Sequence, residues 1–178
     1  MNKHLEPIVQ INESLENSLR KKSLPVMAAE YGSTELLNLI TKMRTTLANE
    51  EDGVALAAPQ IGINKQVFVV SPLSYKEGTV FKPLVFINPK IIKKSSKKIE
   101  MQEGCLSVRW IYGKTKRYVG VTIEASDENG KLFTYGASGL IAHIFQHEID
   151  HLGGILFIDH GYNLEEYTEA EMKEAMKK

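Results

Sequence analysis

The chain has 178 residues, of which 43% are apolar and 25% charged, proportions ordinary for a folded globular protein. That length suits one domain, 1–178, with a substantial core. Its 22 Lys and Arg balance 22 Asp and Glu, so no global field argues for DNA or a membrane surface as a partner.

In chain order, the stretch MNKHLEPIVQINESLENSLRKK has no apolar leader-like run, and no later run approaches the ~20 residues of a membrane span. Residues 1–32 carry no clear period. A helix is predicted over 34–49, capped by Ser33, with Glu35 in its first turn and Leu36, Ile40, Met43 and Leu47 at helical spacing. GVALAAPQIG follows, too apolar for an ordinary exposed loop. QVFVVSP and LVFINPKII are rich in Val, Ile and Phe and read as strands. KKSSKKIE reads as a solvated turn between strands rather than a phosphate site.

Cys105, in QEGCLS, is the single cysteine and has no partner for an internal disulfide. This favours a reducing, cytoplasmic setting. YVGVTIEAS, DENG and KLFTYG read as a hairpin turning at Asn129-Gly130. Ser138 is the expected cap of a helix GLIAHIFQHEIDHL, stopped by Gly153-Gly154. ILFID is expected to be extended. Residues 163–178 read as an exposed C-terminal helix, with Thr168 and Glu171 forming a capping box. Strands with few, segregated helices point to an α+β fold.

The chemistry concentrates in the helix 140–152. His147 and His151 are four residues apart, so they lie ~40° apart on one face and can reach one metal ion. Glu148 is turned ~100° away. It is placed to meet a water beside the metal rather than the metal itself, the division of labour in HExxH hydrolases. His143 also lies on this face, and spacing alone would allow a His143/His147 pair. Only 147 and 151 bracket a glutamate in HExxH order. His143 is then a cleft wall or a satisfied core histidine. A third ligand is supplied by Cys105, because a thiolate binds borderline and soft metals and two imidazoles plus one thiolate leave a position open for water.

At these residues the chain resembles the peptide deformylases. GVALAAPQ (53–60) is similar to the family's G-x-G-L-A-A-x-Q, and EGCLS (103–107) and QHEIDH (146–151) follow in the family's order. The resemblance runs from about 33 to 160. It implies antiparallel β-sheets around a central metal-binding HExxH helix, with N-terminal and C-terminal helices. It implies Cys105, His147 and His151 as ligands of one divalent metal, usually Fe(II), with Zn, Ni or Co able to substitute. It implies Glu148 as general base and then acid, and the Gln60 side-chain amide and Leu106 N–H as holders of the developing oxyanion. The implied reaction removes the formyl group from the N-terminal formyl-methionine of new polypeptides, with N-formylmethionyl nascent peptides as partners. The C-terminal helix is a candidate for transient ribosome contact, as in some relatives.

Val54, Leu140, His143 and Ile144 match positions lining the family's methionine pocket. The chain departs from the pattern at Ala55, where the family has a second glycine. Alanine there is either strained, if the position needs positive φ, or narrows the substrate cleft by a methyl. Arg109-Trp110 also departs, and Trp110 either walls the cleft or packs on its own neighbours. Competing readings are an HExxH endopeptidase using His160, a closed structural metal site with His160 as fourth ligand, and a Cys105 nucleophile paired with a histidine.

Overall fold

The structure, a computed structural model, describes residues 5–12, 18–82 and 84–175. Helix α1 (Thr34–Ala48) begins where expected: the Ser33 side chain accepts the Leu36 N–H at 3.2 Å, and Leu36, Ile40, Met43 and Leu47 are buried. Strand β1 (Ala55–Ala57) and a 3-10 turn (Ala58–Ile61) come from the apolar GVALAAPQIG segment and are buried throughout. Strands β2 (Val67–Val70) and β3 (Val85–Lys94) follow.

After Lys94 the chain changes sheet. Strands β4 (Lys98–Gly104) and β5 (Ile111–Tyr118) pair with each other, and then β6 (Gly120–Ser126) and β7 (Leu132–Ser138) return to the first sheet. The two crossings are tied together: Ser95 N–H donates to Gly120 C=O at 2.9 Å and Val119 N–H to Lys97 C=O at 3.0 Å. The result is a five-stranded sheet, β1-β2-β3-β6-β7, and a three-stranded one, β4-β5-β8, with every neighbouring pair antiparallel. The β6–β7 hairpin turns at Asn129-Gly130, where Gly130 has φ +80°. Among the described residues no helix is long and apolar enough to cross a membrane.

Helix α2 (Leu140–Leu152) packs on β1 and β7 of the larger sheet and on β5 of the smaller. Phe145 is the wedge. Its ring lies 4.9 Å from that of Phe86, which stacks on Phe68 at 4.5 Å, and all three are fully buried. Each contributes about 1.5–3 kcal/mol of burial. Gln146, one residue on, grips Tyr118 at the end of β5, taking its N–H at 2.9 Å and donating to its C=O at 3.0 Å. The helix is therefore clamped between the sheets at the turn that carries HEIDH.

Three local expectations are corrected. Ser138 does not cap α2. It ends β7 paired to Gly120, and Gly139, with φ +60°, makes the turn into the helix. ILFID is not extended at its end: Phe157–Asp159 is a 3-10 turn, closed by the Asp159 carboxylate accepting the Leu156 N–H at 2.9 Å. The terminal segment starts as strand β8 (Tyr162–Glu166), pairing with β5, before helix α3 (Glu169–Ala175). The capping box forms: Glu171 N–H donates to Thr168 Oγ1 at 3.3 Å and Thr168 N–H to Glu171 Oε2 at 2.7 Å.

Candidate active site

Three donor atoms converge. His151 Nε2 lies 3.1 Å from His147 Nε2 and 3.2 Å from Cys105 Sγ, and all three ligand atoms fall within 4.8 Å of one another. Helix α2 supplies the histidines one turn apart, and the end of β4 delivers the sulfur. Gly104 lets the chain pass, since a Cβ there would come within 2.5 Å of the Tyr112 ring. Two nitrogens on one tetrahedral ion are about 3.3 Å apart, so the donor set fits a metal.

The wider shell supports this fit. His147 Nδ1 is 2.5 Å from Glu103 Oε1. A proton on Nδ1 directs the Nε2 lone pair into the cluster. Burial opposes charge on His147, yet hydrogen bonds to Cys105 and Glu103 lift it well above the ordinary imidazole range. Burial, reinforced by His147, pushes His151 well below that range.

Glu103 is the hub behind the cluster. It accepts from Thr115 Oγ1 at 2.5 Å and from Arg117 at 2.6 and 3.2 Å, and it also bonds His143 Nε2 at 2.8 Å. Arg117 in turn bonds Asp150 on α2. Glu103 and Asp150 stand inside the EGCLS and QHEIDH motifs, whereas Arg117 and Thr115 lie outside every motif. Both occupy the buried parity of β5, where Gly113, Thr115 and Arg117 alternate with exposed Lys114 and Lys116. A cation at an inward strand position was the available signal.

A cavity of ≈ 230 Å³ opens onto the cluster. It is lined by Cys105, His147 and Glu148, by Gln60 and Leu106, and by Val54, Ala55, Leu140, His143 and Ile144. Glu148 is buried, and its Oε2 has no partner among the described residues. Burial pushes its carboxyl up to about 7. Gln60 is held by the Ala57 N–H on its Oε1 at 2.8 Å, which turns Nε2 toward Ser107 Oγ at 3.2 Å and Cys105 Sγ at 3.6 Å. Among the described residues, none accepts the Leu106 N–H.

Ala55 is extended in β1, so the strained alternative does not apply; its methyl occupies cleft space. Trp110 does not line the cavity. The Arg109 guanidinium sits 4.5 Å from its ring centroid, itself held by Glu50 at 2.6 Å and Asp52 at 2.7 Å. Tyr112 lines the cleft instead. His143 lines the cleft and bonds Glu103 through Nε2, while its buried Nδ1 has no partner among the described residues, and it stands outside the three-donor cluster. His160 faces Asp150 at 3.4 Å and is also outside that cluster. This leaves the endopeptidase and closed-site readings without their extra ligand.

His143→Ala is expected to leave metal per chain unchanged, by elemental analysis. It should lower stability by roughly 1.5–3 kcal/mol through one lost charge-assisted hydrogen bond. Metal loss would mean the wrong histidine pair had been chosen.

A thiol and two imidazoles around one point, beside a buried carboxyl at the foot of a cleft on an antiparallel α+β frame, define a metal-dependent hydrolase. A family model described as polypeptide deformylase matches residues 5–167. Peptide deformylase 2 of Clostridium acetobutylicum is 45% identical over 150 residues, covering 84% of this chain and 93% of that protein. Among solved structures, a peptide deformylase from Synechococcus elongatus in complex with actinonin superposes with TM-score 0.76 at 34% identity, covering 99% of this chain and 87% of that one. A Met-Ala-Ser-bound class I type b peptide deformylase from Acinetobacter baumannii does so with TM-score 0.75 at 33% identity, covering 88% and 99%. The chain belongs to the peptide deformylase family. It is a hydrolase that removes the N-formyl group from the formyl-methionine of newly made polypeptides.

Proposed function

We propose that Cys105, His147 and His151 hold the divalent metal and that Glu148, Gln60 and Leu106 carry out deformylation around it. The observation that carries this reading is the convergence of the three donor atoms within 4.8 Å at the foot of a cleft that also exposes Glu148. When bound, the metal would lower the pKa of its water toward neutrality and polarise the formyl carbonyl.

The chain's own residues do the rest. The Glu148 carboxyl takes the proton of the attacking water and later returns it to the leaving amine nitrogen. A value near 7 suits both transfers. Gln60 Nε2 and the Leu106 N–H hold the oxygen on which negative charge develops. Val54, Leu140, His143 and Ile144 take the methionine side chain, with Ala55 narrowing the approach. Formate and a free N-terminal amine leave.

Fe(II) is the metal we assign, with Zn, Ni or Co able to replace it. A thiolate beside Fe(II) makes the site oxygen-sensitive, since both oxidise. The whole chain acts as one catalytic domain in the cytoplasm, on N-formylmethionyl nascent peptides. Helix α3 is the segment proposed for transient ribosome contact. The Met-Ala-Ser held by the Acinetobacter relative is what remains when formyl-Met-Ala-Ser loses its formyl group.

The test is formate release from formyl-Met-Ala-Ser by protein purified without oxygen and loaded with Fe(II) or Ni(II). Turnover should vanish on chelation and return with metal. Turnover that survives chelation but dies on thiol alkylation would instead establish Cys105 as a nucleophile.

A further inference from the structure

Residues 8–11 lie against the backs of two loops that face the cleft. The Val9 N–H donates to the Gln60 carbonyl at 2.8 Å, and the Ile11 N–H to the Ser107 carbonyl at 3.0 Å. Between them, the Gln10 side-chain amide donates to the Leu106 carbonyl at 3.0 Å and to the Ile8 carbonyl at 3.2 Å. Three successive residues thus clasp both loops. The anchoring is hydrophobic: Val9 and Ile11 pack into the cluster of Leu19, Val108, Leu156 and Phe157, while Ile8 packs against the α1 core.

The clasp matters because the two loops are remote in sequence and belong to different parts of the fold. The turn carrying Gln60 follows β1 of the larger sheet, and the loop carrying Leu106 follows β4 of the smaller. Among the described residues no backbone hydrogen bond joins the 58–61 turn directly to the 105–108 loop. Among the described residues their direct polar ties are from the Gln60 side chain to Ser107 Oγ and Cys105 Sγ, and Leu106 shares an apolar cluster with Ala58 and Ile61. Oxyanion donors act only when aimed at one point from ~2.7–3.1 Å, and a constellation loose by ~1 Å loses much of its effect. The Leu106 N–H shares its planar peptide unit with the Cys105 carbonyl, which accepts the Val108 N–H at 3.1 Å; the Leu106 carbonyl belongs to the next unit, so a donor on it bears on the Leu106 N–H through the two Leu106 torsions between the units.

The geometry points to Gln10 as a positioning residue for deformylation: acting through the Leu106 carbonyl, it holds the Leu106 N–H in register with the Gln60 amide. This rests on the assignment of Gln60 and Leu106 as the oxyanion holders. Gln10 belongs neither to the cleft lining nor to the three-donor cluster, so its removal should change kcat rather than KM or metal content.

The experiment compares Gln10→Met, Gln10→Lys and Gln60→Ala in the full-length, metal-loaded enzyme on formyl-Met-Ala-Ser. Methionine keeps the length of the side chain and loses the donor. It should lower kcat roughly 5–20-fold, a fraction of the ~10²–10³ that follows outright loss of an oxyanion donor. KM and metal per chain should stay as in the parent. Lysine keeps a donor at similar reach from a half-buried stem, and it should recover most of the rate. A space-filling role would give the opposite order, with methionine harmless and lysine damaging. Parent-like kcat in Gln10→Met, lysine no better than methionine, or a rate loss that tracks metal loss would overturn the proposal. Normal turnover in Gln60→Ala would remove the oxyanion assignment and this inference with it. A slow Gln60→Ala beside a normal Gln10→Met would remove the inference alone.

Discussion

Glu148→Ala is expected to keep one metal per chain and lose at least ~10³-fold in kcat, because the proposed mechanism uses this carboxyl twice. General acid–base groups typically contribute ~10²–10⁴-fold each. In the proposed mechanism one side chain both accepts the proton of the attacking water and protonates the departing amine. The position explains the separation of functions. On α2, Glu148 is one residue beyond His147 and so turned away from the face that His147 shares with His151. It lines the cleft without joining the three-donor cluster. Removing it therefore leaves every proposed ligand and the Glu103 network intact. Glu148→Gln should give a similar loss, since the amide preserves shape without carrying the proton. Formate release and elemental analysis on the same preparation check both halves. Turnover within tenfold of the parent, with metal bound, would sink the assignment.

The histidine pair was legible because its chemistry is local, whereas Cys105, 46 residues from His151, came from its motif. The four-residue spacing of His147 and His151 is readable wherever a helix is readable, and α2 has strong apolar periodicity and a Gly153-Gly154 stop. The same holds for α1, whose Ser33 cap is a short-range signal, and for the Asn129-Gly130 hairpin. What escaped depends on partners far along the chain. IYGKTKRY carries three basic residues and does not look like a central strand, yet β5 sits between β4 and β8. NLEEY resembles the helix that follows it, because glutamates favour helices. Pairing with β5 overrides that preference. Ser138 is an apt cap by local chemistry, but its ladder to Gly120 wins. The strap at 8–11 has no period of its own and is defined only by the carbonyls it meets. The hub at Glu103 was visible as part of a motif, whereas its cation came from the unread strand.

That hub makes the second large effect calculable in direction. Glu103→Ala is expected to weaken both the fold and the metal site, although Glu103 is not itself one of the three converging donors. Burial alone would raise its carboxyl's pKa, but hydrogen bonds from His143, His147 and Arg117 hold it far below the usual carboxylate range. It is therefore an anion that balances the Arg117 guanidinium, which is only 6% exposed. Among the described residues, alanine leaves that guanidinium with Asp150 as its one carboxylate partner. Breaking a buried pair on one side costs about 3–5 kcal/mol, because the surviving charge stays desolvated. For a domain of this size that corresponds to a fall of roughly 6–20 °C in Tm. His147 loses its Nδ1 acceptor at the same time, and loss of such an outer partner lowers metal affinity ~10–100-fold. The two consequences separate in Glu103→Ala/Arg117→Met. Removing the stranded charge should restore part of the stability, while metal affinity stays low because nothing orients His147. Thermal melts with metal competition titrations read the two effects independently. Parent-like metal affinity in Glu103→Ala would mean that helix packing alone, through Phe145 and Gln146, aims His147. Full recovery of affinity in the double variant would mean that the stranded guanidinium, rather than the missing acceptor, was what weakened the site.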